Sequence, residues 1–192
     1  MSKKILLLTG DFTEDYEVIV PFQALQILGY NVDAVCPEKE PGDTIKTAIH
    51  DFEGDQTYTE KAGHNFYITA NFEDVNINEY EGLFITGGRS PEYLRLNPKV
   101  IEIVQEFMKT NKPIAAICHA PQILTVAGVL KGRRATAYPA IGPEIMLAGG
   151  IYLQVAADEA IVDGNLVTAP TWAGNISIIK AFVKLLGAKI QI

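Results

Sequence analysis

Two cysteines and three histidines are all that 192 residues supply of the side chains used for disulfide frameworks and metal cages. Cys36 and Cys118 are too few for the scaffold of a small secreted protein. His50, His64 and His119 show no metal-ligand spacing with them, so no metal site is expected. Basic charge is also short. Sixteen Lys and Arg against 23 Asp and Glu leave a net charge of -7, without the electrostatic footprint of a nucleic-acid binder. No stretch approaches the roughly 18 consecutive apolar residues of a membrane span. The apolar run Ile5-Leu6-Leu7-Leu8 is too short for a signal peptide and meets an acidic string from Asp11 to Glu17, so it reads as a buried strand. Internal repeats, low-complexity tracts, a dinucleotide-binding glycine fingerprint and a Walker loop are all missing. The expectation is a cytoplasmic protein with neither a membrane nor a nucleic acid as partner.

What the chain does have is apolar content, at 48% against 20% charged residues, which argues against disorder. Its length suits one domain over residues 1–192. Strand-like apolar runs alternate with helical patterns, the signature of an α/β protein with a mostly parallel sheet. Strands are expected at Ile5–Thr9, Val32–Cys36, Gly82–Thr86 and Pro113–Ile117, with later ones near Ala135–Tyr138 and Ala160–Val162. Helices are expected from about Tyr16 to Leu28, Lys99 to Lys109, His119 to Ala127 and Gly174 to Leu186. Between 37 and 81 the pattern weakens. Glu38–Asp55 is polar and turn-rich, while Asn65–Thr69 alternates like a short exposed strand, so an edge insertion or flap is expected there.

The most informative segment is Pro113-Ile114-Ala115-Ala116-Ile117-Cys118-His119-Ala120-Pro121-Gln122. A buried strand ends and a helix begins with almost no connection, which is the elbow that nucleophiles occupy. It lies at the sheet edge where open α/β folds bind ligands. Cys118 holds that position, and a helix N-terminus would lower its pKa into the range of about 3.5–7.5. His119 is a candidate base or oxyanion helper beside it. Gly87-Gly88 ends another strand and can turn N–H groups towards an anion. Asp11, Glu14 and Asp15 read as a solvated acidic loop, whereas Glu17 falls within the helical pattern and can face the elbow. A carboxyl held near a thiolate would keep its proton and could shuttle it. Cys36 reads as structural.

Three segments together resemble the ThiJ/PfpI superfamily: Glu14-Asp15-Tyr16-Glu17, Gly87-Gly88-Arg89-Ser90-Pro91-Glu92 and Ala116-Ile117-Cys118-His119-Ala120-Pro121-Gln122. The similarity runs on through Gly128–Arg133, Thr136–Pro139 and Val162–Val167, and so covers nearly the whole chain. The stretches Cys36-Pro37, His50-Asp51-Phe52 and Gly63-His64-Asn65-Phe66 especially resemble the repeat unit of plant two-domain glyoxalase III proteins. The resemblance implies a flavodoxin-like sandwich of the class I glutamine amidotransferase-like kind, with helices on both faces of the sheet. It implies Cys118 as nucleophile, Glu17 as the carboxyl beside it, and an oxyanion hole from Gly87, Gly88 and His119. It implies no cofactor. Ala120 stands where the family usually has Gly, and its methyl is expected to narrow the pocket.

Three activities follow from the resemblance. The first is glutathione-independent conversion of methylglyoxal or glyoxal to the hydroxy acid, or repair of glycated amines, through a hemithioacetal on Cys118. The second is a cysteine peptidase or amidase in which His119 works with Glu92 from a neighbouring subunit. The exposed flap and this Glu92 contribution together imply self-association as a dimer at least, and the resemblance permits a hexamer. The third is a redox sensor in which Cys118 is oxidised. Small 2-oxoaldehydes rank first, because a carboxyl beside a cysteine suits proton shuttling better than amide cleavage.

Overall fold

The computed structural model describes residues 3–188. Continuous apolar runs form its centre, as strands covered on both faces should. β1 (Lys4–Leu8), β3 (Asn31–Val35), β6 (Tyr80–Ile85), β7 (Ile114–Ile117) and β11 (Leu166–Ala169) are parallel neighbours. Their spatial order is β3-β1-β6-β7-β11, the doubly wound 2-1-3-4-5 order whose switch point falls between its first and third strands. β10 (Ile161–Asp163) closes the far edge antiparallel to β11.

Successive side chains point to opposite faces of a strand, and the core divides accordingly. Leu6, Leu8, Leu83, Ile85, Ile114 and Ala116 pack on one face under α2 (Ser90–Leu94), α3 (Pro98–Lys109), α4 (Pro121–Val126) and α5 (Gly142–Leu147). Ile5, Leu7, Phe84, Ala115, Ile117 and Val167 pack on the other under α1 (Asp15–Ile27) and α6 (Asn175–Leu185). The expected flavodoxin-like sandwich is what forms. The helix α3 illustrates why: Asn97 caps it by accepting from the N–H groups of Lys99 and Val100, and Val100, Ile103, Val104 and Phe107 bury one stripe.

Several elements differ from expectation. β11 was not anticipated, because Leu166–Ala169 follows the Asp163-Gly164-Asn165 turn too closely to stand out from β10. The strand expected at Ala135–Tyr138 shrinks to β8 (Arg134–Ala135), paired with β9 (Ile151–Tyr152). Beyond it Thr136 N–H donates to Thr168 Oγ1 and Tyr138 N–H to the Cys118 carbonyl, which turns the chain into the site. The stretch Glu38–Asp55 is not all loop. It contains β4 (Thr44–Ile49), which joins β2 (Thr13–Glu14) and β5 (Lys61–Tyr67) in a separate three-stranded sheet. Among the described residues no helix is long and apolar enough to cross a membrane.

Phe84 meets Phe182 of α6 edge-on at 5.9 Å, with both side chains fully buried. Phe84→Ala is expected to lower stability by about 3–5 kcal/mol, read as a shift in the urea midpoint. A loss under about 1 kcal/mol would mean that this interface does not hold α6 to the sheet.

Candidate active site

Four parallel strands bring their carboxyl ends to one place: β1 leads to Gly10, β6 to Gly87-Gly88, β7 to Cys118 and β11 to Trp172. At the end of β7 the backbone of Cys118 has φ +59°, a left-handed conformation that costs a non-glycine residue energy. Hydrogen bonds on both sides hold it there. Cys118 N–H donates to the Ala169 carbonyl (2.9 Å), and its own carbonyl accepts from Tyr138 N–H (3.0 Å). The expected strand-to-helix elbow is present in the backbone, although α4 starts only at Pro121.

Glu17 reaches the thiol because of how α1 begins. Glu14 is the N-cap and its Oε2 accepts from Glu17 N–H at 2.9 Å, which is half of a capping box. The other half is unmade. Glu17 turns inward towards Cys118 and is fully buried; the Cys118 thiol and the Gly87 and Gly88 N–H groups face its carboxyl, but none meets it with full hydrogen-bond geometry. Gly87 allows this approach, since a Cβ there would collide with Glu17 Oε2 and Cys118 Cβ. Gly88 has φ +65°, and a Cβ on it would strike the backbone of Phe12, Thr13 and Glu14. Buried hydroxyls hold this turn in place. Thr13 Oγ1 donates to Thr86 Oγ1 (2.8 Å), and Ser90 Oγ donates to the Gly87 carbonyl (3.0 Å).

Electrostatics follow from burial. The Glu17 carboxyl is pushed well above the usual carboxylate range by desolvation, with the Glu14 charge adding to the effect. Glu14 is pushed up to about 8 by burial. Cys118 is a correction: burial, reinforced by the Glu17 charge, raises its thiol, against the lowering expected from a helix N-terminus, and the Gly88 N–H only partly offsets this. Desolvation forbids two charges on a buried pair this close, so thiolate and carboxylate do not coexist there. His119 Nδ1 lies 3.1 Å from Cys118 Sγ. Burial pushes this ring down to about 4, so it is neutral at pH 7.

Above the sulfur is a cavity of about 280 Å³, counted to its open mouth, lined by Glu14, Glu17, Cys118, His119 and a set of rings. His119 stacks on Tyr138 with centroids 4.8 Å apart, and Tyr58 meets both edge-on. Phe52, His50 and Trp172 complete the wall. The structure therefore brings Cys118, Glu17, Gly87, Gly88 and His119 together. It does not bring Glu92, which is exposed on α2 and has no hydrogen bond to His119 within the described residues. Ala120 is a second correction, because it caps α4 with its methyl buried in the core and does not line the cavity.

The acidic loop is a third correction. Glu14 and Asp15 are buried, and Asp15 is held by Thr47 Oγ1 (2.8 Å) and His64 Nδ1 (3.0 Å). Cys36 is buried and its thiol is pushed up to about 12 by desolvation, which fits a structural role. Among the described residues no three His, Cys, Asp or Glu side chains cluster closely enough to hold a metal ion. Sequence reasoning missed His50, Phe52, Tyr58 and Trp172. The available signal was two aromatic residues, Phe52 and Tyr58, in an otherwise polar stretch.

A doubly wound sheet with a cysteine on its elbow and a buried carboxyl beside it defines a class of cysteine-centred α/β proteins. The sequence pattern of the DJ-1/PfpI family matches residues 3–185, and the chain belongs to that family. It is 55% identical over 191 residues to Protein DJ-1 homolog D of Arabidopsis thaliana, covering 99% of this chain and 49% of that one. It is 36% identical over 183 residues to Deglycase PfpI of Pyrococcus furiosus, covering 95% of this chain and 99% of that protein. The solved structure of DJ-1beta from Drosophila melanogaster matches with a TM-score of 0.80 at 22% identity, over 98% of this chain and 92% of that one. The chain spans about half the length of the Arabidopsis relatives it matches.

The buried groups give stability a pH signature. Glu14 keeps its proton in the fold up to about 8 but loses it near 4.5 when unfolded, so its contribution falls as pH rises through that window. His119 acts oppositely, its ring moving from 6.5 to about 4 on folding, so its contribution grows with pH from 4 to 6.5 and is constant above. Between pH 6.5 and 8 the wild type is expected to lose at most about 1.4 kcal/mol per pH unit through Glu14. Urea midpoints should fall less steeply for Glu14→Gln over that range. Equal slopes would contradict the assignment.

Proposed function

We propose that this chain is a cysteine-dependent, glutathione-independent enzyme of the glyoxalase III and deglycase kind. Its substrates are small 2-oxoaldehydes and the adducts they form with amines. The observation that carries this reading is Glu17: a fully buried carboxyl facing the cysteine sulfur, with no cationic partner and no full-geometry hydrogen bond among the described residues. Such a group serves best as a proton carrier between adjacent atoms of a bound molecule. The deglycase names of relatives from Pyrococcus and Thermococcus support the same reading.

In the reacting form Cys118 is a thiolate and Glu17 holds the proton. Sulfur adds to the aldehyde carbon, and Glu17 gives its proton to the resulting alkoxide to form the hemithioacetal. The Glu17 carboxylate then takes the hydrogen of that carbon as a proton, leaving an enediolate faced by the N–H groups of Gly88 and His119. The remaining hydroxyl proton passes to the neighbouring oxygen, and Glu17 returns its own to the second carbon, forming a 2-hydroxy thioester. Water, deprotonated by Glu17, cleaves the thioester and restores the thiolate and the protonated carboxyl. The net change is 2-oxoaldehyde plus water to 2-hydroxy acid. His119, neutral and 3.1 Å from sulfur, positions the thiolate and can relay its proton. Peptide cleavage has less support, because a neighbouring copy would have to bring Glu92 to His119.

Purified protein is expected to form lactate from methylglyoxal without glutathione, and Cys118→Ala to form none. Glu17→Gln should lose about 100-fold or more in kcat/KM while Cys118 still reacts with iodoacetamide. Unchanged turnover in Glu17→Gln would remove the shuttle, and turnover in Cys118→Ala would remove the covalent route.

A further inference from the structure

The segment between β4 and β5 takes no part in the chemistry above, yet it forms the outer wall of the cavity. Its ends are tied, since Thr59 N–H and Oγ1 both donate to the Asp51 carbonyl at 2.8 and 3.2 Å. Glu60 is gripped from two sides. Arg89 donates from Nε and Nη2 to the two oxygens of Glu60 at 2.7 and 2.8 Å, and His50 Nε2 lies 3.1 Å from Oε2. A bidentate guanidinium–carboxylate pair fixes orientation as well as distance. Arg89 directly follows Gly88, so the fork ties the segment to the turn that faces the sulfur. On the far side Trp172 Nε1 donates to the His50 carbonyl at 3.1 Å. Held in this way, Tyr58 meets His50, His119 and Tyr138 edge-on, and Phe52 lies over Tyr138 at 6.4 Å.

The result is a narrow, ring-walled entrance. Even with the open space at its mouth counted, the cavity is only about 280 Å³, so its enclosed part is small. No Lys or Arg among the described residues lines it. A free 2-oxoaldehyde with a small uncharged substituent can pass such an entrance with modest movement of the rings, whereas an extended polypeptide has to displace Tyr58 and Phe52 altogether. We propose that Phe52 and Tyr58, latched through Glu60 to Arg89, are the specificity-determining residues, admitting free small carbonyl compounds to Cys118 and excluding polypeptide-borne ones. The substrate half of this inference rests on the function proposed above, while the steric half stands on the geometry alone.

The test separates the two halves. Cys118 labelling by iodoacetamide and by fluorescein maleimide is followed by peptide mass spectrometry, which distinguishes it from Cys36, in wild type, Tyr58→Ala and Glu60→Gln. Glu60→Gln loosens the contacts to Arg89 and His50 without removing a ring from the wall, and guards against a folding defect in Tyr58→Ala. The bulky-to-small rate ratio is expected to rise by about tenfold or more in both variants. An unchanged ratio in both would overturn the proposal. Turnover of free methylglyoxal is then compared with that of a peptide carrying its arginine adduct. Wild type is expected to favour the free compound by about tenfold or more, and Tyr58→Ala to narrow that gap. Equal handling by wild type would overturn the exclusion. Loss of all turnover alongside a shifted labelling ratio would instead sink the proposed reaction and leave the cover standing.

Discussion

A carboxyl and a thiol buried against each other, in a cavity that no Lys or Arg among the described residues lines, is the constraint on which the rest of this structure depends. Desolvation raises Glu17 and Cys118 alike, and each disfavours charge on the other. Such a pair is destabilising unless its surroundings hold it rigidly. Much of the architecture near the carboxyl ends of the strands does this. The left-handed backbone of Cys118 is held by hydrogen bonds to Ala169 and Tyr138. Gly87 leaves room for the carboxyl, and the Thr13, Thr86 and Ser90 hydroxyls hold the turn that carries Gly88. Glu14 spends its own carboxyl on the α1 cap, which sets where Glu17 emerges.

A second layer comes from outside the main sheet. The three-stranded sheet of β2, β4 and β5 is joined to α1 through Thr47, Asp15 and His64, so the first turn of the helix that supplies Glu17 is supported from two directions. The segment between β4 and β5 then covers the sulfur with rings. In the reading proposed above the labour is divided: the sandwich provides the reacting groups, and the segment between β4 and β5 controls what reaches them. Family membership is compatible with several chemistries on one fold, which is why these local features carry the functional argument.

Much of this was legible in the sequence. The runs Ile5–Leu8 and Ile114–Ile117 announced buried parallel strands, and the very short step Cys118-His119-Ala120 from strand to helix marked the elbow. Gly87-Gly88 and Glu17 were legible because each sits where one strand ends or one helix begins. Other features depend on distant partners. Thiol ionisation could not be read from a helix start, because burial by residues far along the chain outweighs the short α4. β11 was hidden by its closeness to β10. Tyr58 and His50 enter the site only because β4 and β5 pair and Arg89 holds Glu60, contacts with no local periodicity to reveal them.

The central claim is that Glu17 holds a proton at neutral pH. Infrared difference spectroscopy between wild type and Glu17→Gln at pH 7 reads this directly. The account predicts that the substitution removes a protonated-carboxyl C=O band. Loss of a carboxylate band alone would contradict it, and with it the assignment of Glu17 as the proton carrier beside Cys118.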